Sequence, residues 1–300
     1  MTIASVLTAL NTEIQNARTA ITNKGGTVTS GGGSSQLATD IATIPTGGIG
    51  ITREVKNGVY QMPTTSFTFS LPSDATDIGG YGLYYAFYKC TGLTSVDLSS
   101  LTTVSGNYGL QGAFNGCTAL TSVDLSSLTT VSVIYALNNA FRGCTSLRSV
   151  NLSSLTTVSG DSALTDGFNG CSRLTSVNLS SLTTVSGATS FAYIFYQCTS
   201  LSNISFPVLT TITNNLAFRY AFAHCTAIQN ISFPALTTSS FGTTYKNQFQ
   251  EMMYGTGKTT THILHFPNNM ESTISGLTGY PLFGGTSGYV TLSFDLPATE

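Results

Sequence analysis

Six regularly spaced cysteines are the first residues whose chemistry must be considered. They are all the cysteines of the chain, and each lies 27 residues after the one before: Cys90, Cys117, Cys144, Cys171, Cys198 and Cys225. Thiols can form disulfides, bind metals or act as nucleophiles. Because each cysteine holds the same place in a repeat, stacked repeats would bring them into one buried file of small core side chains. No pair has CxxC spacing, which argues against a zinc site. The sequence leaves the redox state of the file open.

A few other residues have types that could do chemistry. The stretch Gly255–Thr260 reads GTGKTT, but a phosphate-binding loop needs a glycine where Met252 stands. His262 and His265 lack a third ligand nearby, and the pair His224–Cys225 has no third group to orient it. We therefore predict that the protein is not an enzyme and holds no metal or cofactor.

A column of polar residues also repeats with the 27-residue period. Its members stand seven residues after each cysteine: Asp97, Asp124, Asn151, Asn178, Ser205 and Ser232. A cation bridging Asp97 and Asp124 is one interpretation, but one carboxylate pair offers few ligands to a hard cation. The favoured interpretation is a solvated polar face of a sheet.

Composition excludes several classes of partner. The 300 residues include 11 basic and 13 acidic side chains, so no basic field exists that would attract nucleic acid or an anionic membrane. No apolar run is long enough to span a bilayer. The start of the chain lacks a basic region and carries Glu13, Gln15 and Arg18, so we do not expect a secretory signal. Release by another route, such as in a virion, fits this expectation.

Apolar residues repeat in phase with the cysteines and define the elements that must position them. They stand 3, 6, 8, 11 and 14 residues after each cysteine, except that Ser239 breaks the last column, and a phenylalanine precedes each cysteine by three. The positions at 6 and 8 share a face, which predicts a short strand such as Val96–Leu98. Strands one repeat apart would pair in parallel, and stacking would bury the apolar side of each unit. We predict a right-handed solenoid of seven to eight coils.

The repeat resembles a leucine-rich repeat through its L-x-x-V-x-L pattern. The preceding A-F-x-G-C, as in Ala113–Cys117, makes it similar to the BspA-type repeat, which occurs on bacterial surface proteins and on some phage and protist proteins. The resemblance covers roughly residues 66–270 and implies a leucine-rich-repeat solenoid fold. These units are a few residues longer than the commonest BspA-type unit, and we expect the extra residues between the apolar position at 14 and the next phenylalanine.

The N-terminal part of the chain is predicted to be a separate module. Residues 1–24 carry an apolar seam that indicates a helix, formed by Ile3, Leu7, Leu10, Ile14, Ala17 and Ile21. A Gly/Ser-rich connector and a second short helix follow. We divide the chain into a helical docking or oligomerisation module at 1–47 and a capped solenoid at 48–300. The alternative is a helical cap on the solenoid, and the seam is too short to fix an oligomer number.

The two ends of the solenoid depart from the repeat. Asn57-Gly58 predicts a hairpin turn, and residues 66–72 already stand in phase with the repeat, so both segments are expected to cover the first coil. Near the other end, Phe266-Pro267 follows Phe233-Pro234 by 33 residues, and Phe249 keeps the phenylalanine phase. We expect the six additional residues to bulge out around 255–260. Residues 288–296 alternate and predict a capping strand.

One segment varies from unit to unit, and tyrosines gather there. It spans positions 16 to 22 after each cysteine, while the strand and its flanks barely change. Tyr81, Tyr108 and Tyr135 would form one file. The other candidate ligand-binding residues are Tyr85, Tyr193 and Tyr220 in a second phase and Tyr88 and Tyr196 in a third. Exposed tyrosines suit recognition of a sugar or a protein. The alternative is that the rings only stack and stabilise the edge.

These observations lead to a functional hypothesis of attachment. The opening of the chain, with ITNKGGTVTSG and SSQLATDIATIP, resembles some phage tail and virion proteins over fewer than 50 residues. We therefore predict a phage or prophage virion protein, such as a tail fibre or receptor-binding component. It would bind a host cell-surface glycan or protein, dock to other virion proteins through residues 1–45, and form a homo-oligomer. The alternatives are a bacterial cell-surface adhesin of the BspA kind and a purely structural capsid or tail decoration protein.

Overall fold

The computed structural model describes residues 54–56, 59–61, 66–71, 73–237, 239–241, 247–256, 261–275 and 290–297. The predicted helical module at 1–47 lies outside these residues. In chain order the strands are β1 (Glu54–Lys56), β2 (Val59–Gln61), β3 (Phe67–Ser70), β4 (Asp77–Ile78), β5 (Leu93–Asp97), β6 (Thr103–Val104), β7 (Ser122–Asp124), β8 (Thr130–Val131), β9 (Ser149–Asn151), β10 (Thr157–Val158), β11 (Ser176–Asn178), β12 (Thr184–Val185), β13 (Asn203–Ser205), β14 (Thr211–Ile212), β15 (Asn230–Ser232), β16 (His262–Pro267) and β17 (Val290–Leu296). One short helix, α1 (Glu271–Ser275), lies between β16 and β17.

The first two strands form a sheet of their own. β1 and β2 pair antiparallel with Val55 opposite Tyr60, which confirms the hairpin that Asn57-Gly58 predicted. The repeat begins at β3, where Phe69 pairs with Val96 as the spacing predicted. The described residues therefore join β3 to the first coil, whereas β1 and β2 pair only with each other.

The repeated V-x-L strands stack in parallel, one coil on the next. Val96 pairs with Val123, Val123 with Val150, and Val150 with Val177, so the 27-residue period sets the register. These strands make a five-stranded sheet from β3 to β11, and a four-stranded sheet continues from β13 to β17. We call the outward surface of both sheets the strand face. Apolar and polar residues alternate along each strand, which directs the valine inward and its neighbours outward.

A second parallel sheet lies along another side of the coils. It contains β4, β6, β8, β10, β12 and β14, each made of two residues. The second residue is a buried Ile or Val, which fills the apolar position 14 residues after the cysteine. Two sheets thus enclose the leucine core between them, and the predicted solenoid is confirmed.

Phenylalanines form a continuous stack through the core. The ring centroids of Phe87 and Phe114 lie 5.2 Å apart, those of Phe114 and Phe141 5.3 Å, and those of Phe141 and Phe168 5.4 Å. The planes are within 11° of parallel in these pairs. Burying one such ring stabilises the fold by roughly 1.5–3 kcal/mol. A single coil could not bury both faces of its ring, so stability depends on the neighbouring coils.

The six cysteines are fully buried, which confirms the predicted file. From Cys117 onward, each Sγ–H donates to the backbone carbonyl of the phenylalanine 30 residues earlier, at 2.9–3.2 Å. Burial raises the pKa of Cys171 and Cys225 to about 12. These thiols therefore act as core fillers that also bond one coil to the preceding one.

The variable segment of each unit crosses the third side of the coil as a run of turns. We call this surface the turn face; its described runs are 79–89, 106–116, 133–143, 160–170, 187–197, 214–224 and 247–255. Backbone amides alternate there between two acceptors. Tyr85 N–H donates to the carbonyl of Gln111 in the next coil at 2.9 Å, while Ala86 N–H donates to that of Leu83 at 3.1 Å. Most of the turn-face amides thus bond backbone carbonyls, which leaves the side chains at many of these positions free to vary.

The six additional residues near the end of the repeat lie mostly elsewhere than the sequence predicted. Ile212 pairs with Phe241, so Phe241 rather than Ser239 continues its column. The amide of Phe222 donates to the carbonyl of Met252, which places Met253 at the phenylalanine position and Thr256 at the cysteine position. Relative to the regular 27-residue repeat, two residues are therefore inserted before Phe241 and two more between Phe241 and Gln248. Only two are inserted between Thr256 and His262. The prediction of one bulge around 255–260 is wrong, and so is the phase of Phe249.

The strand face is interrupted between β11 and β13, which belong to different sheets. The adjacent coils remain bonded through Thr184 and Thr211 in the second sheet and along the turn face. At this junction the core changes from leucine to phenylalanine: Phe206 takes the place of Leu179 in the repeat. We attribute the interruption to these larger rings, which hold β13 away from β11. At the other end, β17 pairs in parallel with β16, as a capping strand would.

Candidate functional site

The turn face carries all the tyrosines that the sequence singled out. Three residues in each of the first six runs, and two in the last, adopt a positive φ there at every fourth position, which excludes an α-helix. Tyr81, Tyr108 and Tyr135 occupy the first of these positions, with φ of 58°, 64° and 54°. Tyr85, Tyr193 and Tyr220 occupy the second. This backbone directs the same position of each unit outward in the same way, so the rings form files.

The first file is a stack of three rings. The centroids of Tyr81 and Tyr108 are 5.0 Å apart with planes at 16°, and those of Tyr108 and Tyr135 are 5.4 Å apart at 17°. The predicted outer file is therefore confirmed. Since Tyr108 is covered on both faces by its neighbours, it presents its ring edge and hydroxyl, whereas Tyr81 and Tyr135 at the two ends each have one face that the file does not cover.

Three further tyrosines extend this stack into a cluster. Tyr84 makes edge contacts with Tyr81 at 5.4 Å and with Tyr85 at 4.8 Å, and Tyr85 in turn contacts Tyr88 at 5.6 Å. The Nζ of Lys89 lies 5.1 Å from the centroid of Tyr88. We call Tyr81, Tyr84, Tyr85, Tyr88, Tyr108 and Tyr135 the first aromatic cluster. Sequence reasoning missed Tyr84 because no aromatic residue stands 27 positions away from it.

The remaining predicted tyrosines form a second aromatic cluster several coils away. It consists of Tyr193, Tyr196, Tyr220, Tyr254 and His224. Tyr193 and Tyr220 stack at 4.9 Å, and Tyr254 makes edge contacts with Tyr220 at 5.8 Å and His224 at 5.7 Å. Tyr85 shares the repeat position of Tyr193 but does not contact it, so the second predicted file is split in two. Tyr254 was missed because the inserted residues move it out of phase.

Exposure is uneven among these rings. The large apolar side chains that are exposed among the described residues are Tyr81, Tyr88, Ile134, Val208 and Tyr254. Tyr81 is 50% exposed and Tyr254 48%. Three of the five belong to the first aromatic cluster or adjoin it, since Ile134 precedes Tyr135. The first cluster is therefore the main apolar patch on the described surface.

Three tyrosines of the two clusters have a raised pKa. Burial raises the pKa of Tyr85 and of Tyr193. A hydrogen bond to the Glu251 carboxylate is the main cause that raises the pKa of Tyr220. Glu251 also pairs loosely with Arg219 at 3.9 Å, and that guanidinium lies 5.1 Å from the ring centroid of Tyr220. The second cluster thus combines aromatic, cationic and anionic groups.

Polar side chains fill the turn face between the two clusters. The Nε2 of Gln111 donates to the Oδ1 of Asn138 at 3.1 Å, and the Nδ2 of Asn139 donates to the same oxygen at 2.6 Å. Arg142 donates to the Oδ1 of Asn139 at 3.3 Å. In the following coil, Asn169 donates to the carboxylate of Asp166. Sequence reasoning missed these residues because their types differ from coil to coil.

The strand face offers a second, shallower surface. A groove of about 710 Å³ runs across β5, β7, β9 and β11, lined by columns of serine and of Asp or Asn. The acidic and amide side chains accept hydrogen bonds from the backbone amide two residues later. The Oδ1 of Asp97 accepts from the amide of Ser99 at 2.9 Å, and the Oδ1 of Asp124 accepts from that of Ser126 in the same way. Hydrogen bonds from the hydroxyl and the amide of Ser99, with a smaller one from the hydroxyl of Ser70, lower the pKa of Asp97. The column therefore caps turns, which favours the polar face over the cation site.

A substitution in the later coils supports this role of the column. Proline occupies the position of the bonded serine at Pro207 and Pro234, and it has no amide to offer. In the same coils serine replaces Asp or Asn, at Ser205 and Ser232, and these two hydroxyls bond each other at 2.8 Å. The acidic or amide side chain is thus present only where an amide needs it.

The histidines do not assemble a metal site. His262 is buried with its Nδ1 2.6 Å from the carbonyl of Ile228, whereas His265 contacts Asp295 at 3.0 Å and Asn230 at 3.2 Å. His224 lies within the second aromatic cluster. In the part of the chain that the structure describes, no group of three or more His, Cys, Asp or Glu residues could hold a metal ion. Within the same part, no helix has the length and apolarity needed to cross a membrane.

A parallel solenoid of 27-residue coils with L-x-x-V-x-L strands defines a leucine-rich-repeat protein. The family described as the BspA-type leucine-rich repeat region matches residues 54–194 and 186–271, in six copies. The chain belongs to this family. The sequence resemblance to it is thereby confirmed.

Solved structures of bacterial leucine-rich repeat proteins are similar in fold. The protein of T. pallidum is 21% identical over 65% of this chain and 85% of its own, with a TM-score of 0.40. A protein of Eubacterium ventriosum is 24% identical over 48% of this chain and 40% of its own, with a TM-score of 0.33. At these values the likeness concerns the repeat fold alone. No curated protein matches the sequence.

Proposed function

We propose that this protein is a non-enzymatic recognition protein that attaches to a macromolecule of a cell surface through its turn face. Membership of the BspA-type family supports a role in recognition or adhesion based on the repeats. The observation that carries the proposal is the first aromatic cluster, in or beside which lie three of the five large apolar side chains that are exposed among the described residues, all on one side of neighbouring coils. An apolar patch of this kind, with hydroxyl groups at its edges, marks an interaction site.

The location we propose is the bacterial cell surface, as for an adhesin. The prediction of a phage virion protein rested on residues 1–45, which lie outside the described residues. The tail-fibre role, the docking to other virion proteins and the homo-oligomer therefore stay predictions from the sequence. The described part of the chain supports the adhesin better, because its repeats belong to the BspA-type family.

The burial of the thiols supports a function without catalysis. A nucleophilic cysteine needs a lowered pKa and access to substrate. Burial does the opposite here, raising the pKa of five of the six thiols and leaving each side chain inaccessible. The tyrosines, in contrast, are accessible and chemically suited to binding. We therefore assign no reaction to the chain.

The test is a cell-binding measurement with the fluorescently labelled full chain on panels of bacterial and host cells. The informative variant is Tyr108→Ser combined with Tyr135→Ser, because the chain itself places Ser162 at the same position and φ. Ser122→Ala with Ser149→Ala is the matched control on the strand face of the same coils. We expect saturable binding that falls at least about tenfold in the tyrosine variant only.

Two outcomes would overturn the proposal. Binding to no cell type would remove attachment as a function. Binding that the tyrosine variant retains and the strand-face variant loses would move recognition to the groove on β5–β11. Tyr108→Phe with Tyr135→Phe separates the contributions, because it keeps the stacked rings and removes only the hydroxyls.

A further inference from the structure

The polar region between the two aromatic clusters has a composition unlike the rest of the turn face. Three columns cross it, standing five, two and one residues before each cysteine. In the coils of Cys117, Cys144 and Cys171 they read Gly112, Asn139, Asp166; then Asn115, Arg142, Asn169; then Gly116, Gly143, Gly170. The same columns hold Tyr85 and Tyr88 at one end and Tyr193 and Tyr196 at the other. We call the middle part of these columns the polar gap.

The glycine column leaves the backbone of the polar gap uncovered. A Cβ built on Gly143 or on Gly170 would have only the backbone of the preceding glycine within 4 Å. Lys89 and Gln197 stand in the same column on either side of the three glycines. Larger side chains therefore border a strip without side chains, which lets a ligand approach the coils closely.

Arg142 and Asp166, inside the polar gap, carry opposite charges, and each is hydrogen-bonded to a neighbouring asparagine. Arg142 is exposed, and only one of its five N–H donors is engaged by Asn139. Asp166 is half-buried and shares its carboxylate with Asn169. Within the three coils of the polar gap, one guanidinium and one carboxylate leave no net charge, and the amides add both donors and acceptors. Lys89, the cation at one border, lies against Tyr88, with its Nζ 5.1 Å from the ring centroid. An ionic ligand would gain little binding free energy from these groups, whereas the hydroxyl groups of a sugar chain would find both hydrogen-bond donors and acceptors among them.

We infer that the polar gap binds an uncharged oligosaccharide that lies along the solenoid axis between the two aromatic clusters. Asn139, Arg142 and Asp166 would bond its hydroxyls, and Tyr88 and Tyr196 would contact the sugar rings at its two ends. Neighbouring coils lie about 4.8 Å apart, so Tyr85 and Tyr193 are separated by roughly 19 Å over four coils. An extended glycan of a few units spans that distance. The inference rests on the proposed function and names its ligand class.

The experiment measures binding of the full chain to a printed array of neutral oligosaccharides beside their sialylated counterparts. The variant combines Asn139→Gly with Arg142→Ala. Gly112 and Ala223 occupy these same two positions in other coils, so both replacements suit the backbone. Arg148→Ala is the matched control, because it removes the same charge from an exposed arginine outside the turn face. We expect binding to neutral glycans that falls at least about tenfold in the double variant and is unchanged in the control.

Three results would overturn the inference: no binding to any neutral glycan, equal binding by the double variant, or a consistent preference for the sialylated forms. The cell-binding measurement separates this failure from that of the proposed function. If the double variant still attaches to cells and the tyrosine variant does not, the polar gap is not the site and the proposed function stands. If the unaltered chain attaches to no cell type, both fall.

Discussion

Each buried cysteine contributes to the fold through its position and its proton. The sulfur fills the space beside the phenylalanine stack. The thiol S–H donates a hydrogen bond to the backbone carbonyl of a phenylalanine in the preceding coil. Ionising such a thiol would leave a charge in an apolar core. That is why burial is the largest cause of the raised pKa in this file.

The thiols predict a loss of stability at alkaline pH. In the unfolded chain they titrate near 8.5, whereas Cys171 and Cys225 keep their protons up to about 12 in the fold. A raised folded pKa contributes stability that is complete below the unfolded pKa and is lost as the pH rises towards the folded one. Each thiol should lower the free energy of unfolding by about 1.4 kcal/mol per pH unit in that window. Urea unfolding at several pH values measures this slope.

Cys171→Ala provides the control for that titration. The variant removes one thiol, so its slope between pH 9 and about 12 should be smaller by one proton than that of the parent chain. A native protein whose thiols ionise near 8.5, followed by ultraviolet absorbance of the thiolate, would contradict the prediction.

The ionised carboxylate of Asp166 should lower the stability of the fold at neutral pH. Desolvation raises the pKa of its carboxyl above the ordinary value, despite the hydrogen bond from Asn169 and the charge of Arg142. The ionised form is thus less favourable in the fold than in the unfolded chain. Asp166→Asn should raise the unfolding midpoint modestly at pH 7, and the gain should vanish below about pH 3.9, where both states are protonated. Asp161→Asn, an exposed aspartate in the same coil, is the control, and an equal gain there would contradict the cause.

At the scale of residues, periodicity identified side chains whose role repeats and missed those whose role does not. Tyr81, Tyr108 and Tyr135 were recognised as a file because they share a phase. Tyr84 is in contact with this file through edges of its ring, a relationship that no spacing reveals. The polar gap was likewise hidden, since glycine, asparagine and aspartate replace one another in a single column.

The turn face shows how a backbone pattern can govern an element independently of its side chains. Amides alternate between a local acceptor and the next coil, and a residue with positive φ returns at every fourth position. Tyr, Ser, Thr and Leu all occupy the first of these positions. Residues with a Cβ resist this conformation by about 1–2 kcal/mol each. Their presence shows that the bonds between coils override local preference, which is why the sequence did not predict this backbone.

Two glycines of the turn face should differ sharply when replaced. A Cβ on Gly187 would lie 2.1 Å from the carbonyl oxygen of Gly160, so Gly187→Ala must push two backbones apart. We expect a cost of about 3 kcal/mol. Gly143 has a φ of 70° but no atom within 3.7 Å of such a Cβ, so Gly143→Ala should cost only about 1–2 kcal/mol.

Chemical denaturation of both variants checks this order. Equal losses would mean that positive φ, and not the close approach of the coils, limits which residues fit here. A larger loss for Gly143→Ala would contradict the packing explanation altogether.

The strands were predictable because their signal is both local and repeated. Alternation fixes the buried residue within each strand, and the 27-residue period fixes its partner, as the pairing of Val123 with Val150 confirms. The insertions near the end were misplaced because spacing reports only their sum. Where each pair of residues enters depends on which carbonyl of the next coil accepts from each amide, as that of Met252 does from Phe222.

For the whole molecule, the constant register predicts that a complete unit can be removed. Deleting residues 145–171 joins Cys144 to Ser172 and leaves every later residue in its former phase. Stability is then a sum over remaining coils and their interfaces, so the shortened chain should fold, with one strand fewer in the β3–β11 sheet, one fewer in the second sheet, and a length reduced by about 4.8 Å. Circular dichroism and small-angle scattering measure the two expectations.

Deleting residues 145–170 is the control for that experiment. It leaves one additional residue at the join, so the coils on the two sides can stack in register only if that residue forms a bulge. We expect this chain to unfold at a lower denaturant concentration than the chain that lacks 145–171. If both deletions fold equally well, the register is not what holds the coils together.

The interruption between β11 and β13 gives the molecule a weakest cross-section. Every hydrogen bond between coils points along the long axis of the solenoid. A tensile load applied to the two ends is therefore carried by all the junctions between coils in series. At the junction of the coils of Cys171 and Cys198 the second sheet and the turn face carry the load, and the strand face adds no ladder. For a protein anchored at one end and attached at the other, rupture would begin there. The first aromatic cluster and the polar gap would stay in one folded part and the second cluster in the other, with the unbroken polypeptide still joining the two parts.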